Sequence, residues 1–193
     1  MKNMIILHGG SGIKVEAYFP WLATECEKLG LDVIIPEIIK EKDNSDYNLW
    51  HDEFKRQNIP VTENTIVFAQ SRSTNFFVKY CAQNNLSLGA YISCAGFVRQ
   101  SPCNTNPYKE TFNPTKQEFE KFKAMPFPKF SIYSDNDMFF EQVALEQYAD
   151  AVRAQHVFLP GRGHFNIPAG VYEIPEAIEI IEKLIQKSRV GYE

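Results

Sequence analysis

Four short segments of this 193-residue chain gather residue types that can do nucleophilic chemistry. They read His8-Gly9-Gly10-Ser11-Gly12, Gln70-Ser71-Arg72-Ser73, Ser134-Asp135-Asn136-Asp137 and Gly161-Arg162-Gly163-His164. In chain order they supply a glycine loop, a serine, an acid and a histidine. A serine hydroxyl is a poor nucleophile until a base takes its proton. Histidine can do this near neutral pH, and a carboxylate holds its tautomer and stabilises the imidazolium. A glycine loop lets backbone N–H groups approach a developing oxyanion, where losing one donor costs ~10²–10³ in rate. The set suits acyl transfer through Ser71, His164 and one of two acids, Asp135 or Asp137.

Each residue also has a plainer reading. Ser71, Ser73 and Thr74 can all cap a helix. The Ala69-Gln70-Ser71-Arg72-Ser73 run has small residues two before and two after Ser71, as a strained nucleophile elbow requires, although Ala69 and Ser73 replace the usual glycines. Ser73 is the rival nucleophile. Asp137 precedes the apolar Met138-Phe139-Phe140, whereas Asp135 suits a turn or cap. His164 could be an ordinary loop histidine. The other histidines fit the role less well: His51 falls in a helix, His156 begins a strand, and His8 is expected to anchor the glycine loop by hydrogen bonding. As a phosphate cradle, Gly10-Ser11-Gly12 lacks the third glycine of G-x-G-x-x-G, and no G-x-x-x-x-G-K-[ST] occurs.

These segments need elements that hold them on one edge. Short apolar runs alternate with segments of helical period. Strands are predicted at Met4–Leu7, Val33–Ile35, Thr65–Ala69, Gly89–Cys94, Phe130–Tyr133 and Val157–Leu159. Helices are predicted at Pro20–Leu29, around Tyr47-Trp50-Phe54, over Thr74–Gln83 and Thr115–Lys123, around Ala144-Tyr148-Val152, and along Ile174-Ile178-Ile181-Ile185. The pattern implies a three-layer, Rossmann-like α/β domain over 1–193: about six mostly parallel strands with helices on both faces. Ligands in such sheets sit at the carboxyl ends of the strands, where the four segments fall. Residues 95–115 lack a clear period and read as a long excursion that could cover the site. Phe97, Phe139 and Phe165 are candidate pocket walls, with Phe112 and Phe140 beside them.

Composition bounds the partners. With 20 Lys and Arg against 24 Asp and Glu, no basic excess exists to bind nucleic acid. Cys26, Cys81, Cys94 and Cys103 form no C-x-x-C pair, and no His/Glu cluster has metal-ligand spacing, so neither a metal nor a cofactor is expected. No signal-peptide pattern or run of ~20 apolar residues occurs, so a cytoplasmic protein with free thiols and no membrane partner is expected.

Ile5-Ile6-Leu7-His8-Gly9, Phe19-Pro20-Trp21-Leu22, Trp50, the Ser71 elbow, Tyr133-Ser134-Asp135-Asn136-Asp137 and Gly163-His164-Phe165 together resemble the retinoblastoma-binding-protein-9-like serine hydrolases, small α/β-hydrolases, over nearly the whole chain. The resemblance implies an α/β-hydrolase fold with Ser71 as nucleophile, Asp137 as acid, His164 as base, and the backbone N–H groups of Gly10 and Arg72 as oxyanion donors. It implies a carboxylesterase-like reaction on small acyl esters. Arg72 stands where the pattern departs from the family's, between Ser71 and Ser73. Its side chain is either a surface or salt-bridging arginine or projects into the site and favours an anionic substrate.

A second class of function remains: a protein-binding module on a hydrolase scaffold with little turnover, which the altered elbow would favour. An acyltransferase would use the same acyl-enzyme and differ only in the acceptor.

Overall fold

A computed structural model describes residues 1–9, 18–38, 46–98 and 111–190. Six strands, β1 (Asn3–Leu7), β2 (Asp32–Ile34), β3 (Thr65–Gln70), β4 (Ala90–Cys94), β5 (Lys129–Tyr133) and β6 (Gln155–Phe158), form one sheet in the order β2-β1-β3-β4-β5-β6. Every adjacent pair is parallel. The helices are α1 (Phe19–Lys28), α2 (Tyr47–Arg56), α3 (Arg72–Asn84), α4 (Lys116–Ala124), α5 (Gln142–Val152) and α6 (Pro175–Val190).

Period-two alternation divides the core. Met4, Ile6, Ile66, Phe68 and Ile92 pack with Phe19, Leu22 and Cys26 of α1 and with Ala177 and Ile181 of α6. Ile5, Leu7, Val67, Ala69 and Tyr91 face the other way, toward Trp50 and Phe54 of α2, Phe76 and Phe77 of α3, Phe122 of α4 and Tyr148 of α5. The register Met4↔Ile66 and Ile5↔Val67 keeps like faces together. A slip of one residue would turn each buried set outward.

β1 connects to β2 on one side of the pair and β3 connects to β4 on the other, so the loops at the carboxyl ends of β1 and β3 part there. Gly9 and Ser71 flank that opening. A Cβ built on Gly9 would stand 3.3 Å from the Ser71 Cβ and 2.2 Å from the Gln70 Oε1, so only glycine lets the loop pass this close to the serine.

Most boundaries differ from the periodicity by a residue or two, and the differences at α3 and α6 have a clear local cause. Helix α3 starts at Arg72, because the turn at Ser71 redirects the chain at once into the helix. Ile174 lies just before α6, where its carbonyl accepts from Ala177 N–H at 2.9 Å. Edge strand β6 is largely exposed, since nothing pairs its outer side. Among the described residues, no helix is long and apolar enough to cross a membrane. None of their His, Cys, Asp and Glu side chains form a group of three or more placed to hold a metal ion.

Candidate functional site

Ser71 sits between β3 and α3 with φ 54° and ψ −124°. A residue with a side chain adopts this backbone only when its surroundings enforce it. Here its N–H donates to the Cys94 carbonyl at 2.8 Å, which ties the turn to the end of β4. Its own carbonyl accepts from the Thr74 hydroxyl at 2.7 Å and from the Thr74 N–H at 3.0 Å. The Ser71 side chain makes no cap bond to the helix. Its Oγ instead stands 2.9 Å from His164 Nε2.

The far nitrogen of the same ring, His164 Nδ1, is 2.6 Å from Asp137 Oδ2. The His164 side chain is 7% exposed and that of Asp137 is fully buried, so the pair is shielded from water. Asp137 Oδ1 accepts from the N–H groups of Phe139 and Phe140 at 2.8 and 3.2 Å, which fixes the carboxylate plane. This arrangement puts the Nδ1–H tautomer against the acid and leaves Nε2 as an acceptor for the serine proton.

Asp135 does other work. Its Oδ1 accepts from Gly161 N–H at 2.8 Å, and that bond holds its exposed carboxyl below the usual range. Ser134 Oγ accepts from Arg162 N–H at 2.9 Å and Asn136 Oδ1 accepts from Gly163 N–H at 2.7 Å. Three successive side chains after β5 thus hold three successive N–H groups of the turn that carries His164. Sequence reading missed Ser134 and Asn136 in this role. Their signal was the run of short polar side chains opposite a Gly-Arg-Gly turn.

Ser73 is fully buried. Its Oγ lies 2.9 Å from both the Leu7 and the Gln70 carbonyls and accepts from Gln70 N–H at 3.0 Å. These bonds engage its hydroxyl within the fold. His8 is also buried, and its Nδ1 is 2.8 Å from the Gly9 carbonyl, as expected for an anchor of the glycine loop. His51 and His156 lie apart, beside Asp52 and Asp150.

The aromatic candidates separate. Phe139 stands edge-on to His164 with ring centroids 4.8 Å apart, and Phe140 lies 5.9 Å away. Phe97 stacks on Phe140 at 4.1 Å and is one ring removed from His164. Phe165 is not a pocket wall: it is fully buried in the α1/α6 core with Ile6 and Phe68. Gly163 and Phe165 both have positive φ, 53° and 51°. The tight turn this makes aims two consecutive side chains apart, His164 to the site and Phe165 to the core. Gly10, and residues 99–110 of the expected cover, lie outside the described residues.

Arg72 is half-buried, and its guanidinium carbon lies 5.5 Å from the Phe112 ring centroid. Among the described residues, no carboxylate forms an ion pair with it.

Comparison with known proteins bears on the family and the fold. The model of a family described as serine hydrolase matches residues 4–183. The ydeN gene product of B. subtilis is similar in structure, with TM-score 0.79 and 19% identity over 96% of this chain and all of that one. Est1E from Butyrivibrio proteoclasticus has TM-score 0.72 and 12% identity over 96% of this chain and 88% of its own. A structure described with the metagenome-derived lipolytic enzymes LipS and LipT has TM-score 0.70 and 12% identity over 96% and 93%. No curated protein sequence matches significantly. The chain has the α/β-hydrolase fold and belongs to the serine hydrolase family.

Proposed function

We propose that the chain is a carboxylesterase-type serine hydrolase that cleaves small acyl esters, with Ser71 as nucleophile, His164 as base and Asp137 as the orienting acid. The observation that carries this reading is the unbroken line Asp137 Oδ2, His164 Nδ1, His164 Nε2, Ser71 Oγ, with spacings of 2.6 and 2.9 Å at its two ends. Ser71 Oγ attacks the ester carbonyl while His164 Nε2 takes its proton. The tetrahedral intermediate collapses as His164 returns that proton to the departing alcohol. Water, deprotonated by the same nitrogen, then releases the acid from the acyl-serine. Asp137 stays ionised throughout and stabilises the imidazolium. Arg72 opens α3, so its N–H has no helical acceptor behind it and is available to the oxyanion; the second donor is the N–H of Gly10.

Two structural neighbours carry esterase or lipolytic descriptions, which supports an ester substrate. The rings of Phe139 and Phe140 beside His164 suit a short apolar acyl group. Within the family, the resemblance of Phe19-Pro20-Trp21-Leu22 and Trp50 to the retinoblastoma-binding-protein-9-like members supports reading the chain as one of them. The thiols of Cys26 and Cys81 are free and buried, which supports a reducing cytoplasm.

The test is labelling by a fluorophosphonate probe, which reacts only with an activated serine. Wild type is expected to label and Ser71→Ala is not. Folded wild type that resists the probe would overturn the reading and favour a binding module. After labelling, an ester series of rising acyl length is expected to peak at short chains.

A further inference from the structure

Arg72 follows the serine directly in the chain, yet its side chain is not on the open surface. Its guanidinium lies over Phe112, whose ring meets Trp50 at 5.0 Å and Tyr47 at 6.3 Å. Trp50 in turn meets His8 at 5.5 Å. A continuous run of buried aromatic rings therefore links Arg72 to His8, the residue before Gly9. A second cation stands on the same rings: Lys79 Nζ is 4.5 Å from the Tyr47 ring and donates to the Thr111 carbonyl at 2.8 Å. Among the described residues, no carboxylate pairs with either cation. Burial lowers the Arg72 pKa with no opposing charge to restore it. Withdrawing a cation from water without an anion is costly, and a bound anion would relieve that cost. A planar guanidinium on an aromatic face is suited to bidentate capture of a carboxylate.

We infer that Arg72, backed by Phe112, is an anion subsite that binds a carboxylate carried by the ester, so that monoanionic esters are the preferred substrate class. The inference rests on the esterase reading above and narrows its substrate. Two matched pairs place the charge on either side of the scissile bond. One is the mono-4-nitrophenyl ester of adipic acid against 4-nitrophenyl hexanoate. The other is 4-acetoxybenzoate against its methyl ester.

The readout is the anionic-to-neutral ratio of kcat/KM, in which any change common to both substrates cancels. In Arg72→Gln this ratio is expected to fall about tenfold or more on at least one pair, as loss of a charge-assisted bond requires. Arg72→Lys should keep part of it, and added salt should reduce it in wild type. Equal ratios in wild type and Arg72→Gln on both pairs would overturn the inference. A binding arm separates this from the function itself. Ser71→Ala is titrated with uncleavable 4-acetamidobenzoate, with and without Arg72→Gln. Probe labelling of Ser71 together with charge-blind kinetics and Arg72-independent binding would sink the subsite and leave the esterase standing. Arg72-dependent binding without labelling would do the reverse.

Discussion

Ser73 Oγ reaches the Leu7 carbonyl at 2.9 Å and so ties the start of α3 to the end of β1. The usual elbow has glycine at this position; here the small side chain is kept and used as a cross-strand tie. The hydroxyl shares its single proton between the Leu7 and Gln70 carbonyls and accepts from Gln70 N–H. Ser73→Ala leaves these buried groups without it, so a stability loss of about 1–3 kcal/mol is expected in urea unfolding. Probe labelling of Ser71 should survive in the same variant. Loss of labelling in folded Ser73→Ala, with Ser71→Ala still labelled, would move the nucleophile.

The two acids predict opposite outcomes. Asp137 is buried against His164, whereas exposed Asp135 accepts from the Gly161 N–H and the Ser134 hydroxyl and does not touch His164. Asp137→Asn is expected to cost about 10³–10⁴ in kcat with the fold intact, since the wrong imidazole tautomer is then favoured. Asp135→Asn should cost far less. Comparable losses in the two variants would contradict the assignment of roles.

Asn136 gives a subtler test. It holds Gly163 N–H, one residue before His164, without touching the reacting atoms. Asn136→Ala should lower kcat by about tenfold with KM little changed, because a loosened base misaligns the transition state more than it weakens binding. A change confined to KM would argue against this positioning role.

How the site was legible follows from the same residues. Ser71, Asp137 and His164 each follow a strand, and a parallel sheet puts such positions on one edge, so their meeting could be foreseen from strand order alone. The choice between Asp135 and Asp137 could not, because both occupy one loop and only three-dimensional register separates them. Phe165 was misjudged for a related reason. Adjacent residues in a loop look equivalent in sequence, and only the positive φ at Gly163 and Phe165 turns one inward. The Ser73 tie was hidden because a hydroxyl's partners in β1 lie 66 residues away. Arg72 was legible as an anomaly, but its lack of a carboxylate partner among the described residues is a property of the packed rings.

The far end of the sheet carries a pH-dependent strain on stability. Lys129 is buried, with its ammonium over the Phe122 and Phe127 rings and 2.6 Å from the Met125 carbonyl. Burial brings its pKa down from 10.5 to about 8. Between those values the unfolded chain holds the proton more tightly than the folded one, so this group's penalty is full below pH ~8 and fades toward pH ~10.5. Cys26 and Cys81, both pushed up to about 12 by burial, act oppositely, since their contribution is lost as alkali ionises the unfolded thiols. Comparison with Lys129→Met cancels that background. Wild-type stability relative to the variant should rise from pH 8 to 10 in urea unfolding; parallel curves would refute the assignment.

The narrowest steric tolerance lies at Gly9. A methyl there would sit 2.2 Å from Gln70 Oε1 and 3.3 Å from Ser71 Cβ. Gln70 cannot easily yield, because it is buried and its Nε2 donates to the His164 carbonyl at 3.4 Å. Relief must come from the glycine loop or from the His164 turn, and either movement opens the space between serine and base. Gly9→Ala is therefore expected to reduce the rate of fluorophosphonate labelling by tenfold or more while far-UV circular dichroism stays native. Labelling at the wild-type rate in the folded variant would show that the loop yields without moving the serine or its base.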